Sequence, residues 1–376
     1  MNTTFYTELT TNSLQGKVLS DAYCEEILTG SDVELLPLLD AAYQVRKTYF
    51  ENEVQLHILN NAQNGYCPED CGYCAQASSA TTDIEAYPLK PDAEILEEAK
   101  RAYESGAYRY CLVMSGRGPS GNRVAHLAEL IQTVKARYPI EVCLSAGLID
   151  MESAHLLKTA GLDRLNHNLN TSEAHYPNIC STHTYQDRME TLQAAQRVGL
   201  ACCSGVIVGM GEGTDDLIKV AKALRQLEVA SLPVNFFLPI AGTQLSEFDT
   251  ETQRSVPTTL TPEYCLRVLC LYRFLNPRVE IRVAAGREHH LRSMEVMALY
   301  PANSMFIDGY LNAEGSAASR TLEMIRDAGF TVKANDEDIE RLNQEEVEKR
   351  DVLLKELKVL RPRMASKQNQ VKPSVD

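Results

Sequence analysis

The sequence predicts an α/β protein built as a (β/α)8 barrel of the TIM type, with an N-terminal helical extension and an acidic helical C-terminal tail. One pattern recurs along the chain: an amphipathic helix, a glycine near its end, and a short aliphatic or β-branched run. It occurs in residues 93–114, 153–169 and 187–208. The glycine suits a left-handed helix C-cap, and the run after it suits a buried parallel strand. Eight such strands over about 250 residues match a closed barrel.

The predicted strands alternate with helices, as parallel βαβ units require. In a barrel of this kind the active site lies at the C-terminal ends of the strands. A doubly wound open sheet is the alternative, because the number of strands does not prove closure. The eight predicted strands are residues 55–59, 108–114, 140–146, 164–169, 200–208, 233–238, 280–284 and 304–307.

The domain organisation follows from composition along the chain. Residues 1–50 form the predicted helical extension, 51–333 the barrel, and 334–376 a charged tail. Acidic residues crowd the tail, and leucines follow at helical spacing, which favours a solvated helix with one apolar stripe packed on the barrel or on a partner. The chain beyond Pro362 is expected to be disordered.

Composition excludes several functions and indicates a location. The chain has 376 residues with 37 basic and 51 acidic side chains, a net charge of −14, which argues against nucleic-acid binding. The longest nearly uncharged apolar stretch, 198–211, is too short to span a membrane. The N-terminus lacks the basic and apolar regions of a secretory signal. We therefore expect a cytoplasmic, reducing location, where the eleven cysteines are metal ligands or core residues rather than disulfides.

Three cysteines stand in the loop after the first predicted strand. Cys67, Cys71 and Cys74 have the spacing C-x3-C-x2-C within residues 64–76. Three thiolates suit soft iron or zinc, but a closed structural zinc site needs a fourth ligand, and no further His or Cys follows before Cys111. A 4Fe-4S cluster on three cysteines leaves one iron open for a reactive cofactor. A structural zinc loop or three unrelated thiols are the alternatives.

Three more cysteines and one arginine lie inside predicted strands. Side chains alternate along a strand, so all four can point into the barrel, whereas Cys202 should face outward beside its neighbour in the same strand. A strand cysteine taken singly is an ordinary core residue. A buried arginine is costly unless it is paired or coordinates a group. The four residues are Cys111, Cys143, Cys203 and Arg282.

Four segments, residues 67–76, 166–169, 203–209 and 285–288, resemble the biotin synthase family of the radical S-adenosylmethionine superfamily. The resemblance runs from about residue 40 to 330. It implies an enzyme that inserts sulfur into dethiobiotin, with a 4Fe-4S cluster that cleaves S-adenosylmethionine to a 5′-deoxyadenosyl radical, and with a sulfur-donating 2Fe-2S cluster. It also implies a flavodoxin- or ferredoxin-type electron donor and a homodimer.

The resemblance assigns the cysteines to two clusters. Cys67, Cys71 and Cys74 would hold the 4Fe-4S cluster. The 2Fe-2S cluster would be held by the strand residues Cys111, Cys143, Cys203 and Arg282. No catalytic residue is expected beyond these ligands, because the removal of a hydrogen atom needs no proton relay and the cofactors carry the chemistry.

The resemblance also implies residues around the cofactor and the substrate. Each asparagine predicted below could instead cap a turn with its side-chain amide. A glycine-rich strand end is by itself weak support for cofactor binding. Arg188 could instead form an ion pair at the N-terminus of its helix. Asn170 stands where some relatives carry Asp. Asn312-Ala313 stands where several relatives carry paired threonines, which leaves recognition of the substrate tail open. The predicted cofactor residues are Tyr73, Asn168, Arg188, Gly205 and Gly209, and the predicted substrate residues are Asn168, Asn170 and Asn235.

The sequence leaves two alternative functions open. One is another radical S-adenosylmethionine enzyme, of the hydrogenase-maturation or methylornithine type, which would share the cysteine loop but generally not the strand cysteines with Arg282. The other is a non-enzymatic iron–sulfur carrier or a zinc-stabilised scaffold.

Overall fold

The described residues of the computed structural model, 3–246, 260–307, 309, 311 and 318–333, form a barrel of parallel strands. All eight predicted strands are present, and the fifth is divided into two short strands. In chain order the strands are β1 Glu53–Gln63, β2 Arg109–Met114, β3 Glu141–Ser145, β4 Arg164–Asn166, β5 Ala201–Cys203, β6 Val206–Val208, β7 Ser231–Phe236, β8 Glu280–Val283, β9 Ser304–Phe306 and β10 Thr331–Val332.

The strand pairing closes the barrel. The order is β1-β2-β3-β4-β5-β7-β8-β9, and β9 pairs back onto β1 in parallel, which rules out the open doubly wound sheet. Strand β6 continues the path of β5 and pairs with β7. The two-residue β10 pairs with the first residues of β1, where Glu53 lies beside Thr331. The predicted fold class is therefore confirmed.

Helices cover the outside of the barrel. In the described part of the chain the α-helices are α1 Thr3–Leu14, α2 Asp21–Thr29, α3 Leu35–Phe50, α4 Asp92–Glu104, α5 Gly121–Arg137, α6 Met151–Thr159, α7 Tyr185–Arg197, α8 Thr214–Gln226, α9 Pro262–Leu275, α10 Arg287–Leu291 and α11 Ala318–Asp327. Two 3-10 helices span Tyr176–Asn178 and Arg292–Leu299.

Alternation along the strands divides the buried residues between two regions. On β2, Tyr110 and Leu112 point outward into the main apolar core between strands and helices. Cys111, between them, points into the barrel. The outward core carries the large aliphatic side chains, whose burial contributes about 25 cal/mol per Å² of apolar surface removed from water. The inward face is left for smaller and polar groups.

The first three helices pack against α9 on the outer layer of the barrel. Buried side chains secure them to carbonyl oxygens of other elements, which satisfies both partners. Ser13 donates to the carbonyl of Phe274, and Arg267 donates to the carbonyls of Ile27 and Val33. Arg46 donates to the carbonyls of Ala302 and Glu53, at the start of β1. The extension thus fixes the N-terminal end of the first strand.

The chain divides into two compact units, Met1–Lys333 and Ala334–Asp376. The second unit, which carries the predicted acidic helix and the predicted disorder beyond Pro362, lies outside the described residues, as does Asn312-Ala313. None of the helices in the described ranges has both the length and the apolar character that a membrane crossing requires.

Candidate active site

The cysteine loop lies at the C-terminal end of β1 and is fastened to the loops of other barrel units. The amide of Gly72 donates to the carbonyl of Ile179, and its carbonyl accepts from the amide of Leu245, both within 2.9 Å. The sharp turn into the loop is made by Gly65 and Tyr66, which both have a positive φ. Backbone bonds to two distant segments therefore set the loop's position.

The three loop cysteines line one cavity of about 300 Å³ at the C-terminal ends of the strands. The thiol of Cys71 is buried, whereas Cys67 and Cys74 are partly exposed. Most of the other predicted site residues line the same cavity. They are Tyr73, Asn168, Asn170, Arg188 and Asn235.

Arg188 lies on the first turn of α7 and its guanidinium is buried beside the cavity. It donates to the carbonyl of Asn168 at 2.8 Å, to the hydroxyl of Tyr176, and to Nε2 of His183 at 2.8 Å. Among the described residues, none of these partners is a carboxylate. The helix N-terminus is capped instead by Thr184, so the ion pair considered as an alternative for Arg188 is not what the structure has.

Tyr73 and two asparagines form the wall beside the cysteine loop. Asn170 has a φ of +69° and donates from its side chain to the Tyr73 hydroxyl at 2.6 Å. Burial raises the pKa of the Tyr73 phenol well above its ordinary value, so the hydroxyl stays protonated. Asn235, on β7, donates to the carbonyl of Val206 at 3.1 Å and accepts from the amide of Ala285 at 3.2 Å. Its side chain ties neighbouring strands together at the cavity.

The two predicted glycines do not line the cavity. A Cβ on Gly205 would lie 1.8 Å from the carbonyl oxygen of Pro233, so only glycine fits where β5 and β6 meet β7. Gly209 has a φ of +102°, and a Cβ there would lie 2.9 Å from a methyl carbon of Leu260. Close packing accounts for both residues. Their predicted contact with a cofactor remains a prediction.

The strand cysteines meet inside the barrel. Cys111 and Cys143 are register partners on β2 and β3, and with Cys203 they form a buried cluster that includes Ala284 and Phe306. Cys202 faces the main core on the other side of the strand, as alternation predicts. The hydrogen bond from Cys143 lowers the pKa of Cys111, and the same bond raises that of Cys143 to about 12. Cys111 is thereby the most acidic of the three thiols.

Arg282 on β8 faces these thiols. Its Nη1 lies 3.8 Å from Sγ of Cys203, and its guanidinium lies over the Phe306 ring, 5.0 Å from the centroid. Its Nε is buried and has no hydrogen-bond partner among the described residues. A buried donor without a partner is costly, and a sulfur-bearing group held between the thiols would supply one.

A layer of charged residues lies in the barrel beneath the cysteines, and sequence reasoning missed it. Glu280 on β8 is buried and accepts from Arg109 at 3.0 Å, from Arg164 at 2.8 Å and from Arg282 at 2.5 Å. Its carboxylate also lies 3.1 Å from Nε2 of His57. Burial by itself would raise the pKa of Glu280, but the neighbouring cations hold it well below its ordinary value. The two-residue period of a strand could have revealed Glu280, because it stands two residues before Arg282 and therefore on the same face.

Asn166 is a second residue that sequence reasoning missed. Its side-chain amide donates to Sγ of Cys203 at 3.2 Å and lies 3.3 Å from the side-chain oxygen of Asn168. Asn166 also lines the cavity. It therefore links the upper cavity to the strand cysteines below. Its place at the end of β4, two residues before Asn168, was the signal that could have found it.

Cys180 lies against the cysteine loop. Its Sγ is 3.8 Å from Sγ of Cys71 and 3.3 Å from Nδ1 of His183. The hydrogen bond from Cys71 lowers the pKa of Cys180 to about 4 and raises the pKa of Cys71. Cys180 and His183 come from the segment after β4, and no short-range motif connects them with the loop.

The two sets of thiols fit two different iron–sulfur groups. The three loop thiols suit a 4Fe-4S cluster that has one open iron. They share their cavity with a buried guanidinium and several amides, which suit a cofactor that bears an amino-acid group at that iron. Three thiols with a guanidinium whose Nε lacks a partner suit a smaller cluster within the lumen. The donor chemistry of both sites is soft, as iron–sulfur groups require.

The chain matches known protein families and individual relatives over most of its length. The Radical SAM superfamily model matches residues 64–224, and the Biotin and Thiamin Synthesis associated domain matches residues 233–331. The chain is 54% identical to the biotin synthase of Magnetococcus marinus (strain ATCC BAA-1437 / JCM 17883 / MC-1), over 83% of this chain and 94% of that protein. It is 51% identical to the biotin synthase of Acaryochloris marina (strain MBIC 11017), over 81% and 86% of the two chains.

Solved structures share the fold. Methylornithine synthase superposes with a TM-score of 0.72 at 21% identity, covering 89% of this chain and 99% of that one. The FeFe-hydrogenase maturase HydG from Carboxydothermus hydrogenoformans superposes with a TM-score of 0.71 at 17% identity, covering 90% and 81%. At this level of identity the likeness concerns the fold alone, so it does not favour either alternative activity.

Proposed function

Because the chain belongs to the biotin synthase family of radical S-adenosylmethionine enzymes, we propose that it inserts sulfur into dethiobiotin to form biotin. One observation carries the proposal: a single barrel contains one set of three thiols on a cavity and a second set of three thiols beside Arg282 in the lumen. An enzyme that generates a radical and also delivers sulfur needs both sites.

The cofactors are a 4Fe-4S cluster with S-adenosylmethionine and a 2Fe-2S cluster. When bound, they supply the removal of hydrogen from unactivated carbon and the sulfur atom that replaces it. Cys67, Cys71 and Cys74 would hold the first cluster. The second would be held by the lumenal residues Cys111, Cys143, Cys203 and Arg282. The barrel's own contribution is to position these groups and to exclude water.

Residues at the cavity would orient S-adenosylmethionine. The buried Arg188 guanidinium suits a carboxylate, since its described partners are neutral. Tyr73 and Asn168 line the same cavity. Gly205 and Gly209 would act by allowing the close approach of backbone in this region.

Amides would bind the ureido ring of dethiobiotin. A cyclic urea presents two donors and one carbonyl acceptor, and amide side chains can satisfy both kinds of group. Asn168, Asn170 and Asn235 line the cavity, which supports this proposed role. Beneath the strand cysteines, Glu280 would hold Arg282 in place through the 2.5 Å contact between its carboxylate and the guanidinium.

The proposed enzyme would need an electron donor and a reducing compartment. A flavodoxin- or ferredoxin-type protein would supply electrons, and the enzyme would be a homodimer. All eleven cysteines are unpaired, which supports a reducing compartment such as the cytoplasm.

The test is anaerobic turnover of the reconstituted chain with dethiobiotin, S-adenosylmethionine and dithionite, followed by mass spectrometry for biotin. Biotin is expected from the wild type and from Cys202→Ala, whose side chain faces the helices. Cys203→Ala should cleave S-adenosylmethionine without forming biotin. Cleavage without biotin in the wild type would overturn the function, and biotin from Cys203→Ala would overturn the assignment of the sulfur donor.

A further inference from the structure

Cys71, Cys180 and His183 form a compact group of metal-binding side chains beside the cavity. One ligand atom from each lies within 4.8 Å of the others, and all three residues are buried. Within the described ranges no other three His, Cys, Asp or Glu residues come together in this way. The three loop cysteines are thus farther apart than this trio, as ligands to three different irons of one cluster should be.

The distances in the trio suit one tetrahedral ion. With zinc–sulfur bonds of about 2.3 Å and zinc–nitrogen bonds of about 2.0 Å, tetrahedral geometry places two sulfurs about 3.8 Å apart and a sulfur and a nitrogen about 3.5 Å apart. The Sγ atoms of Cys71 and Cys180 are 3.8 Å apart. From Sγ of Cys180, Nδ1 of His183 lies at 3.3 Å and Nε2 at 3.9 Å.

Neighbouring groups orient the histidine for metal binding. Nε2 accepts from Arg188 at 2.8 Å, which leaves Nδ1 with the ring proton and directs it to Glu69, 2.5 Å away. A metal ion at Nδ1 would replace that proton. The Glu69 carboxylate lies outside the group of mutually close ligand atoms, so the fourth position of a tetrahedral site is left for a solvent molecule or another exogenous ligand.

We propose that the cluster-free chain binds one Zn²⁺ ion, or a similar divalent ion, through Cys71, Cys180 and His183, with an exogenous fourth ligand. Cys71 is also a ligand in the proposed 4Fe-4S site, so the zinc-bound state and cluster assembly exclude each other. The competition rests on the proposed function, whereas the zinc site itself does not. Zinc at this position holds the enzyme in an inactive form until the ion is removed.

The binding test uses the full-length chain, freed of iron by a chelator, reduced, and titrated anaerobically with Co²⁺. The expected result is one Co²⁺ per chain with the visible ligand-field bands of four-coordinate cobalt and a near-ultraviolet sulfur-to-cobalt band, both abolished by Zn²⁺. Cys180→Ala and His183→Gln should each weaken binding at least about 10-fold to 100-fold, since even loss of an indirect partner costs that much.

Matched variants distinguish this site from its surroundings. Cys67→Ala removes a loop cysteine but leaves the trio intact, and Cys270→Ala removes a buried cysteine of α9. Both should bind Co²⁺ as the wild type does. Binding lost in Cys67→Ala and kept in Cys180→Ala would place the ion in the loop and overturn the proposal. Thermal unfolding of every variant identifies any that have failed to fold.

A second measurement tests the competition. Prior loading with Zn²⁺ should slow reconstitution of the cluster in the wild type, measured by iron and sulfide content, and should have no such effect in Cys180→Ala. An equal effect of Zn²⁺ in both proteins would overturn the competition. A chain that binds Co²⁺ through the trio but never assembles a cluster would contradict the proposed function while leaving the zinc site in place.

Discussion

Asn166 donates a hydrogen bond from its side-chain amide to Sγ of Cys203 at 3.2 Å. The same side chain lines the upper cavity, so it is the contact through which the cavity and the lumenal thiols meet. Hydrogen bonds to sulfur tune the potential and reactivity of iron–sulfur groups. We therefore expect Asn166 to act as a positioning residue for the proposed sulfur-donating site.

Replacement of Asn166 by alanine should uncouple radical generation from sulfur insertion. A hydrogen bond to a charged group contributes about 1.5–3 kcal/mol, and about 1.4 kcal/mol corresponds to tenfold in rate. We expect the biotin formed per S-adenosylmethionine cleaved to fall about tenfold or more, with a shift in the absorption of the 2Fe-2S cluster. Asn178→Ala, at an exposed position, is the control. An unchanged ratio and spectrum in Asn166→Ala would contradict this role.

Glu280 should be the most sensitive charged residue of the barrel. Its buried carboxylate compensates Arg109, Arg164 and Arg282. Removal of one member of a buried ionic group costs about 3–5 kcal/mol because the remaining charges stay buried. Glu280→Gln should therefore lower the free energy of unfolding by that amount in denaturant titrations. Glu141→Gln, which removes a partly exposed partner of Arg109, should cost less than about 1 kcal/mol; equal losses would refute the argument.

The same carboxylate predicts a dependence of stability on pH. The folded-state pKa of Glu280 lies below its unfolded value of about 4.3. Its contribution is thus fully present above the unfolded pKa and is lost as the pH falls through the lower folded pKa. The difference in Tm between wild type and Glu280→Gln should be constant from about pH 8 to 6 and should narrow below about pH 4. A difference that widened in acid would mean that the folded-state pKa is raised instead.

Local patterns in the sequence determine the strands and the direction of their side chains, whereas long-range contacts determine which side chains meet in the site. Strand period was enough to place Cys203 inward and Cys202 outward, because alternation is a property of the strand itself. Helix–strand alternation predicted every barrel strand, since each βαβ unit repeats the same local requirement.

The missed residues depend on partners that are remote in sequence. Glu280 on β8 contacts Arg109 on β2, and Cys180 contacts Cys71 on a loop 109 residues earlier. Only closure of the barrel brings such groups together. Cys180 in particular looks like any buried cysteine until Cys71 and His183 are placed beside it.

Replacement of Gly205 tests whether this glycine is needed for close packing or for contact with a cofactor. A Cβ there would lie 1.8 Å from the Pro233 carbonyl oxygen, and overpacking costs about 1–3 kcal/mol or more. Gly205→Ala should therefore lower Tm strongly. Gly121→Ala, at the start of α5 with no heavy atom within 4 Å of the added Cβ, should stabilise by about 0.4–1 kcal/mol. A Gly205→Ala protein with normal Tm but weakened binding of S-adenosylmethionine would favour cofactor contact.

Arg188 tests the proposed recognition of S-adenosylmethionine. Its buried guanidinium is held by Tyr176, His183 and the Asn168 carbonyl, which fix its direction without neutralising its charge. Arg188→Lys keeps the charge but loses the planar fork that pairs with a carboxylate. A hydrogen bond to a charged group contributes about 1.5–3 kcal/mol, and loss of one should raise Kd for S-adenosylmethionine about 10-fold to 100-fold.

The measurement for Arg188 is titration of the reconstituted, unreduced enzyme with S-adenosylmethionine, beside iron and sulfide analysis. Arg197→Lys, at an exposed position on the last turn of the same helix, should leave Kd unchanged. If Arg188→Lys lowers Tm or cluster content while Kd stays the same, the guanidinium only supports α7 and the loop. A raised Kd at normal cluster content distinguishes binding of the cofactor from structural support, because only the former requires the fork to face the ligand.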